Sequence, residues 1–227
     1  MINIVLWADL QCPFCYTGEA NLQHAVEELG IQDQVRLDIK SREIHRPEDG
    51  NGDTEMFQIF QQKDGFTPEG AKAQIEKIND MGKNEAGLIF DFGKVHESND
   101  HDAHRLYKLG RDKGLGPQVR NALHTAYFVD CEKLADPEVL VKAGKKAGLE
   151  ESLIRRMLKE GWYENEVLND EMEYDALAIE SVPYFIVDQE VIPEHLTKDE
   201  FIKVLQNHLP VGKTEQQLRC QPSDSAV

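Results

Sequence analysis

The chain has 227 residues, 40% hydrophobic and 30% charged, with a formal net charge of −17. That length suffices for a substantial buried core, and so acidic a surface repels phosphates, which argues against nucleic acid and anionic lipid as partners. No stretch reaches the roughly 20 consecutive apolar residues that a membrane-spanning helix requires.

In chain order, INIVLW (2–7) is a short apolar run rich in β-branched residues and predicts a buried strand. Residues from Asp9 to Pro13 interrupt it. Leu22, Ala25, Val26 and Leu29 then fall at i, i+3, i+4 and i+7, one face of a helix that Gly30 ends. In VRLDIK, Val35, Leu37 and Ile39 alternate with polar neighbours and predict a second strand, giving a βαβ unit. Beyond it RPEDGNGD reads as a loop. Helices are expected at roughly 53–63, 68–81, 101–113, 116–128, 136–147, 150–159 and 164–178, with GLIFDF (87–92) as a short extended interruption. Pro68, Pro117 and Pro137 stand where helices begin, and Ser98-Asn99-Asp100 offers capping side chains. PYFIVD (183–188) predicts a strand with QEVI as its hairpin partner, and 198–208 a last helix carrying Phe201, Val204, Leu205 and His208. The predicted fold is α/β: a discontinuous thioredoxin-like domain (1–45 and 179–210), an inserted all-helical domain (46–178) and a polar, flexible tail (211–227).

Cys12-Pro13-Phe14-Cys15 sits between the first strand and the first helix. A cysteine attacks as its thiolate, and the free N–H groups and positive dipole end of a helix start favour that anion. Cys12 is therefore the expected nucleophile. Cys15, one turn further, is the expected buried thiol that resolves a mixed disulfide. Pro13 and Phe14 restrict the turn and add no charge. A zinc site would need a second pair of ligands, whereas Cys131 and Cys220 are isolated and His96, His101 and His104 match no common zinc pattern, so no metal is expected. The N-terminus lacks the basic region, apolar core and cleavage site of a signal peptide, so a cytoplasmic location is expected. A structural disulfide is disfavoured there, and strand–CxxC–helix is the context for redox chemistry. Late in the chain, Val182-Pro183 opens a strand. In a thioredoxin-like fold this point faces the CxxC with a cis-proline loop whose preceding residue offers its backbone to an extended substrate.

The segments CPFCYTG, SNDHDAHRL, AYF…DPEVL and SVPYFIVD occur in this order. They resemble the DsbA-like family, specifically its cytosolic FrnE-type branch of dithiol–disulfide oxidoreductases, over residues 2 to about 208. The resemblance implies a thioredoxin fold with an inserted helical domain and the active site in the groove between them. It also implies Cys12 as nucleophile, Cys15 as resolver and a cis Val182–Pro183 bond. Pro13, Phe14, Val182, Pro183 and His104 are the candidate substrate-binding residues. His104 and Arg105 match a motif whose helix packs near the dithiol, with a buried packing role for His104 the equal alternative. His96 and His101 are expected at the surface. No bound cofactor is expected, with glutathione or another thiol open as electron partner and a disulfide- or thiol-containing protein or small molecule as substrate. The chain departs from the family pattern twice. Ser181 stands where glycine is usual before Val-Pro, and Pro193 and Glu194 stand where small residues are usual. Two rival functions are a glutathione-dependent isomerase or transferase, of the 2-hydroxychromene-2-carboxylate isomerase or kappa-class type, and a non-enzymatic thiol sensor. The first resembles S-P-[YF]-[SA] at the nucleophile, which the two cysteines here disfavour.

Overall fold

The computed structural model describes residues 1–45 and 54–209. The predicted loop at 46–53 and the tail at 211–227 lie outside them. The elements run β1 (Ile2–Ala8), α1 (Pro13–Glu28), β2 (Val35–Ser41), α2 (Met56–Gln62), α3 (Pro68–Ala86), α4 (His101–Asp112), α5 (Gly116–His124), α6 (Pro137–Lys146), α7 (Glu151–Glu160), α8 (Glu164–Ala176), β3 (Tyr184–Val187), β4 (Glu190–Ile192) and α9 (Lys198–His208).

The apolar run of β1 makes it an inner strand of a mixed sheet ordered β2-β1-β3-β4. It pairs in parallel with β2, Ile4 opposite Leu37, and antiparallel with β3, Leu6 opposite Phe185. Side chains alternate across a strand, so β1 serves two cores at once. Ile2, Ile4, Leu6 and Ala8 join Phe185 and Val187 in the main core, where Leu22 and Ala25 of α1 and Phe201 and Leu205 of α9 meet them. On the opposite face Val5 and Trp7 join Tyr184 and Ile186 beneath Tyr174 and Ile179. Each such buried aliphatic or aromatic side chain contributes about 1.5–3 kcal/mol.

Helices α2 to α8 all fall between β2 and β3 in sequence, and acidic residues of α8 anchor them to the end of β2. Asp170 accepts the Ser41 N–H at 2.8 Å and pairs with the buried Lys108 of α4, while Glu171 accepts the Glu43 N–H at 2.6 Å. Proline opens α1, α3, α5 and α6 within the first turn. The Thr67 and Asp136 side chains cap α3 and α6, and Thr197 and Glu200 form a capping box on α9.

Several predicted elements differ in detail. α3 extends beyond residue 81 to Ala86, ending where Gly87 takes φ +69°, a left-handed conformation that glycine adopts without strain. The helix expected at 116–128 divides into α5 and a π-helical turn, Thr125–Val129. GLIFDF is not extended in a sheet. It is a loop whose Phe90 and Phe92 pack against Phe128, at 5.2 and 6.4 Å between ring centroids, while Ile89 in the same loop is exposed. Asp100 is the N-cap residue of α4 but makes no side-chain cap bond, and Ser98 instead exchanges hydrogen bonds with the Gln11 side chain.

Candidate active site: a dithiol at the start of α1

β1 ends at Ala8, and four residues later the chain enters α1 with Pro13 in its first turn. That turn makes Cys12 the N-cap, with extended backbone (φ −81°, ψ 116°), and its sulfur accepts the Cys15 N–H at 3.4 Å. The two cysteine side chains lie 3.3 Å apart, both as free thiols. Cys12 keeps 5% of its surface and Cys15 none, so an incoming sulfur can meet only Cys12. Burial pushes the Cys15 thiol well above the ordinary cysteine range, helped by its hydrogen bond to Cys12 and by the nearby Cys12 and Asp9 charges. The helix start presents unpaired N–H groups to Cys12, while Cys15 is held as a thiol.

The Val182–Pro183 peptide bond is cis. Pro183 and Phe185 pack over Gly18, where an added Cβ would stand 3.5 Å from each. Ser181, beside this turn, donates its hydroxyl to Glu194. The two departures from the family pattern are thus partners, a serine where glycine is usual and a carboxylate where small residues are usual. The same loop carries His195, whose ring stands edge-on to Phe14 at 5.3 Å. Phe14 and His195 form one side of a cleft of about 520 Å³, and Lys77, Ile78, Met81 and Asn84 of α3 form the other.

Near the dithiol lies a buried polar cluster in which Asp9 and Asp100 join His104. The Asp9 carboxylate accepts the N–H groups of Gln11 and Ile44, each at 2.6 Å, and the Asp9 N–H in turn donates to the Cys15 sulfur. Burial, reinforced by Asp100, pushes the Asp9 carboxyl up to about 8. Asp100 is raised well above the carboxylate range by burial and by Glu43, and burial lowers His104. His104 Nε2 stands 3.5 Å from Asp100 Oδ2 without forming a hydrogen bond of good geometry. Asp9, Asp100 and His104 can each turn a ligand atom toward one point, these atoms lying within 4.8 Å of one another. Both Asp9 oxygens already accept backbone N–H groups, which favour the carboxylate and offset part of the effect of its burial.

Pro13 and Phe14 thus form the turn between Cys12 and Cys15, Pro183 packs on Gly18 of the same helix, and His104 is fully buried and not among the residues that line the cleft. His101 is not a surface residue. It is 8% exposed and bridges Glu43 at 2.5 Å and Glu164 at 2.9 Å, which push its imidazole up to about 9. His96 is half-buried, its backbone in an isolated bridge with Glu55. Cys131 is a half-buried free thiol, and Cys220 lies outside the described residues. Of this cluster the sequence pointed to His104, while Asp9, an acid directly after an apolar strand, was a signal that went unused.

A four-stranded mixed sheet with a dithiol heading the helix after its first strand, and a cis-proline turn beside that helix, defines a thioredoxin-like α/β protein. The DSBA-like thioredoxin domain model matches residues 3–206, and the chain belongs to that family. Its structure is similar to the probable DsbA oxidoreductase SCO1869 of Streptomyces coelicolor, with TM-score 0.82 and 24% identity over 100% of this chain and 94% of the other. It is also similar to the cytosolic disulfide reductase DsbM of Pseudomonas aeruginosa with GSH, with TM-score 0.62 and 14% identity over 91% of this chain and 98% of that one. In sequence it is 21% identical over 219 residues to the uncharacterized protein YwbO of Bacillus subtilis (strain 168), covering 90% of this chain and 96% of YwbO. Among the described residues no helix is long and apolar enough to cross a membrane.

Proposed function

We propose that the protein is a thiol–disulfide oxidoreductase of the FrnE type, in which Cys12 attacks and Cys15 resolves. The observation that carries this reading is the asymmetry of the pair: Cys12 caps α1 and retains access, while Cys15 is wholly buried and holds its proton.

With a substrate disulfide, the Cys12 thiolate attacks one sulfur to form a mixed disulfide, and the other substrate sulfur leaves as a thiolate. In the fraction of molecules whose Asp9 has given up its own proton, a fraction that grows toward pH 8, Cys15 then passes its proton to the Asp9 carboxylate, whose raised affinity brings it into the range of thiols. The Cys15 sulfur attacks that of Cys12, forming the Cys12–Cys15 disulfide and releasing the second substrate sulfur, which takes up a proton. The substrate has gained two electrons and the dithiol has lost two. A small thiol such as glutathione restores the dithiol, and running the same steps backwards oxidises a substrate dithiol.

The cleft beside Phe14 is the proposed substrate site, with the Val182 backbone offered to the chain that carries the reacting sulfur. With Cys12 only 5% exposed, a slender disulfide, in a small molecule or an extended peptide, fits better than one on a folded surface. Sheet and dithiol belong to a thioredoxin-like domain of 1–45 and 179–210, and the wall from α3 belongs to a helical domain of 46–178. Cytoplasmic work is part of the proposal, supported by the cytosolic reductase among its structural relatives.

The test is equilibration with glutathione buffers, following the Cys12–Cys15 disulfide by alkylation and mass. The reading requires an intramolecular disulfide, its loss in Cys12→Ser, and a trapped mixed disulfide in Cys15→Ser. A protein that never closes the pair is no dithiol oxidoreductase.

A further inference from the structure

Asp100, the N-cap residue of α4, and His104 in its first turn stand at i and i+4, which brings their side chains onto one face. Asp9 approaches them from the turn after β1, and one ligand atom from each of the three lies within 4.8 Å of the other two. Asp9 and Asp100 are sealed from solvent, and His104 is 1% exposed. Among the described residues neither Asp100 oxygen has a hydrogen-bond partner, and neither has His104 Nε2. The Gln11 amide, close enough to temper the Asp100 charge, is already bonded to the Ser98 backbone. The buried cations pair elsewhere: Lys108 with Asp170, Arg120 with Glu19, and His101 with Glu43 and Glu164. Two carboxyl groups and an imidazole nitrogen thus converge in the interior with three of their polar atoms unmatched. Such an arrangement is costly unless something fills it.

We infer that Asp9, Asp100 and His104 form a buried binding site for one divalent cation, zinc. Carboxylate oxygens and an imidazole nitrogen are ligands that zinc accepts, and three of them leave its fourth tetrahedral position to water. His104 Nε2 lies 3.5 Å from Asp100 Oδ2 without making a hydrogen bond. Two ligands on a tetrahedral zinc stand roughly 3.4 Å apart, so this spacing suits a shared metal. The Gln11 and Ile44 N–H groups each hold one Asp9 oxygen at 2.6 Å, which orients the carboxylate and leaves lone pairs for the ion. A cation here also relieves the repulsion between the Asp9 and Asp100 charges. Zinc and the proton compete for Asp9, so the proton-accepting role of this carboxylate belongs to the metal-free protein. The expectation of no metal came from cysteine and histidine spacing, whereas these ligands meet only through packing.

A close pair of thiols also takes zinc, so the test is made in the untagged full chain carrying Cys12→Ser and Cys15→Ser. The protein is stripped with a chelator and then equilibrated with zinc against a chromophoric zinc indicator, long enough for a sealed site to open. One zinc per chain should bind, and it should raise the melting temperature. X-ray absorption at the zinc edge should show nitrogen and oxygen neighbours and no sulfur. Adding Asp100→Asn or His104→Gln should weaken binding by about a hundredfold or more and abolish the zinc-dependent rise in melting temperature. A merely structural cluster would move the melting temperature of the metal-free variants and leave zinc binding unchanged. Failure to bind one zinc per chain, sulfur among its neighbours, or an affinity that neither substitution moves overturns the inference. The last result would assign the ion to exposed carboxylates. If neither substituted chain folds, X-ray absorption of the parent decides. Every result is read without Cys12 and Cys15, so failure here leaves the dithiol reading intact.

Discussion

Replacing Asp9 by Asn removes one titrating proton from behind the dithiol and changes little volume. In the folded protein this carboxyl keeps its proton up to about pH 8, whereas on unfolding it returns to its ordinary 3.8. Across that window the folded state is the more protonated, so Asp9 makes stability fall as pH rises, by about 1.4 kcal/mol per pH unit for one full proton. Between pH 5 and 8 that amounts to roughly 4 kcal/mol. The variant should lose this slope. It also loses one acceptor for the Gln11 and Ile44 N–H groups, which costs about 1–3 kcal/mol at every pH and moves the curve down without tilting it. Urea unfolding of both proteins at half-unit pH steps gives the difference curve, in which the contribution of His101 cancels. A second readout is the rate at which Cys15 displaces a small thiol from Cys12. In the wild type that rate should rise with pH and bend near 8. In the variant it should fall by about tenfold to a hundredfold below that point and lose the bend, because the proton must leave to water. Parallel stability curves together with an unchanged bend would refute the assignment of Asp9.

Two further outcomes follow from other parts of the structure. His101→Gln takes the imidazolium away from the buried Glu43 and should cost about 2–3 kcal/mol, kept modest because Glu164 on the other side is half exposed. With the imidazole raised to about 9 against an unfolded value of 6.5, that contribution is complete below pH 6.5 and fades as pH rises through 9, so wild-type and variant unfolding curves should converge in alkaline urea titrations. Ser181→Gly and Glu194→Ala should each cost about 1 kcal/mol, and the double variant should cost less than their sum, since either change breaks the same bond. A double-mutant cycle of urea midpoints measures that coupling, and additive losses would mean the two residues act independently.

The dithiol was legible in the sequence because everything that defines it is local. An apolar β-branched run, a break, two cysteines three positions apart and a helical face follow one another within about 30 residues, and proline sets the first turn of α1. The Val182–Pro183 turn was legible only together with the CxxC, since a proline at the head of a strand by itself marks no more than a strand start. The acidic and basic groups that surround the pair were not, because charge in a sequence says nothing of its depth. Asp100 reads as a helix cap and His101 as a surface residue, while Glu19 and Arg120 read as ordinary charges on two helices 101 positions apart. Likewise GLIFDF announces burial, but an apolar run of six residues suits a strand or a packed loop equally, and the aromatic neighbours that decide between them come from α2 and the π-helical turn. Ser181 and Glu194 looked like two separate departures until the turn before β3 and the loop after β4 met. What the sequence by itself determined was the order of elements and the place of the two neighbouring cysteines at a helix start, since local pattern and backbone stereochemistry specify these. Which charges lie buried against those sulfurs was decided only by tertiary structure, because desolvation and Coulomb interactions depend on distances that packing alone sets.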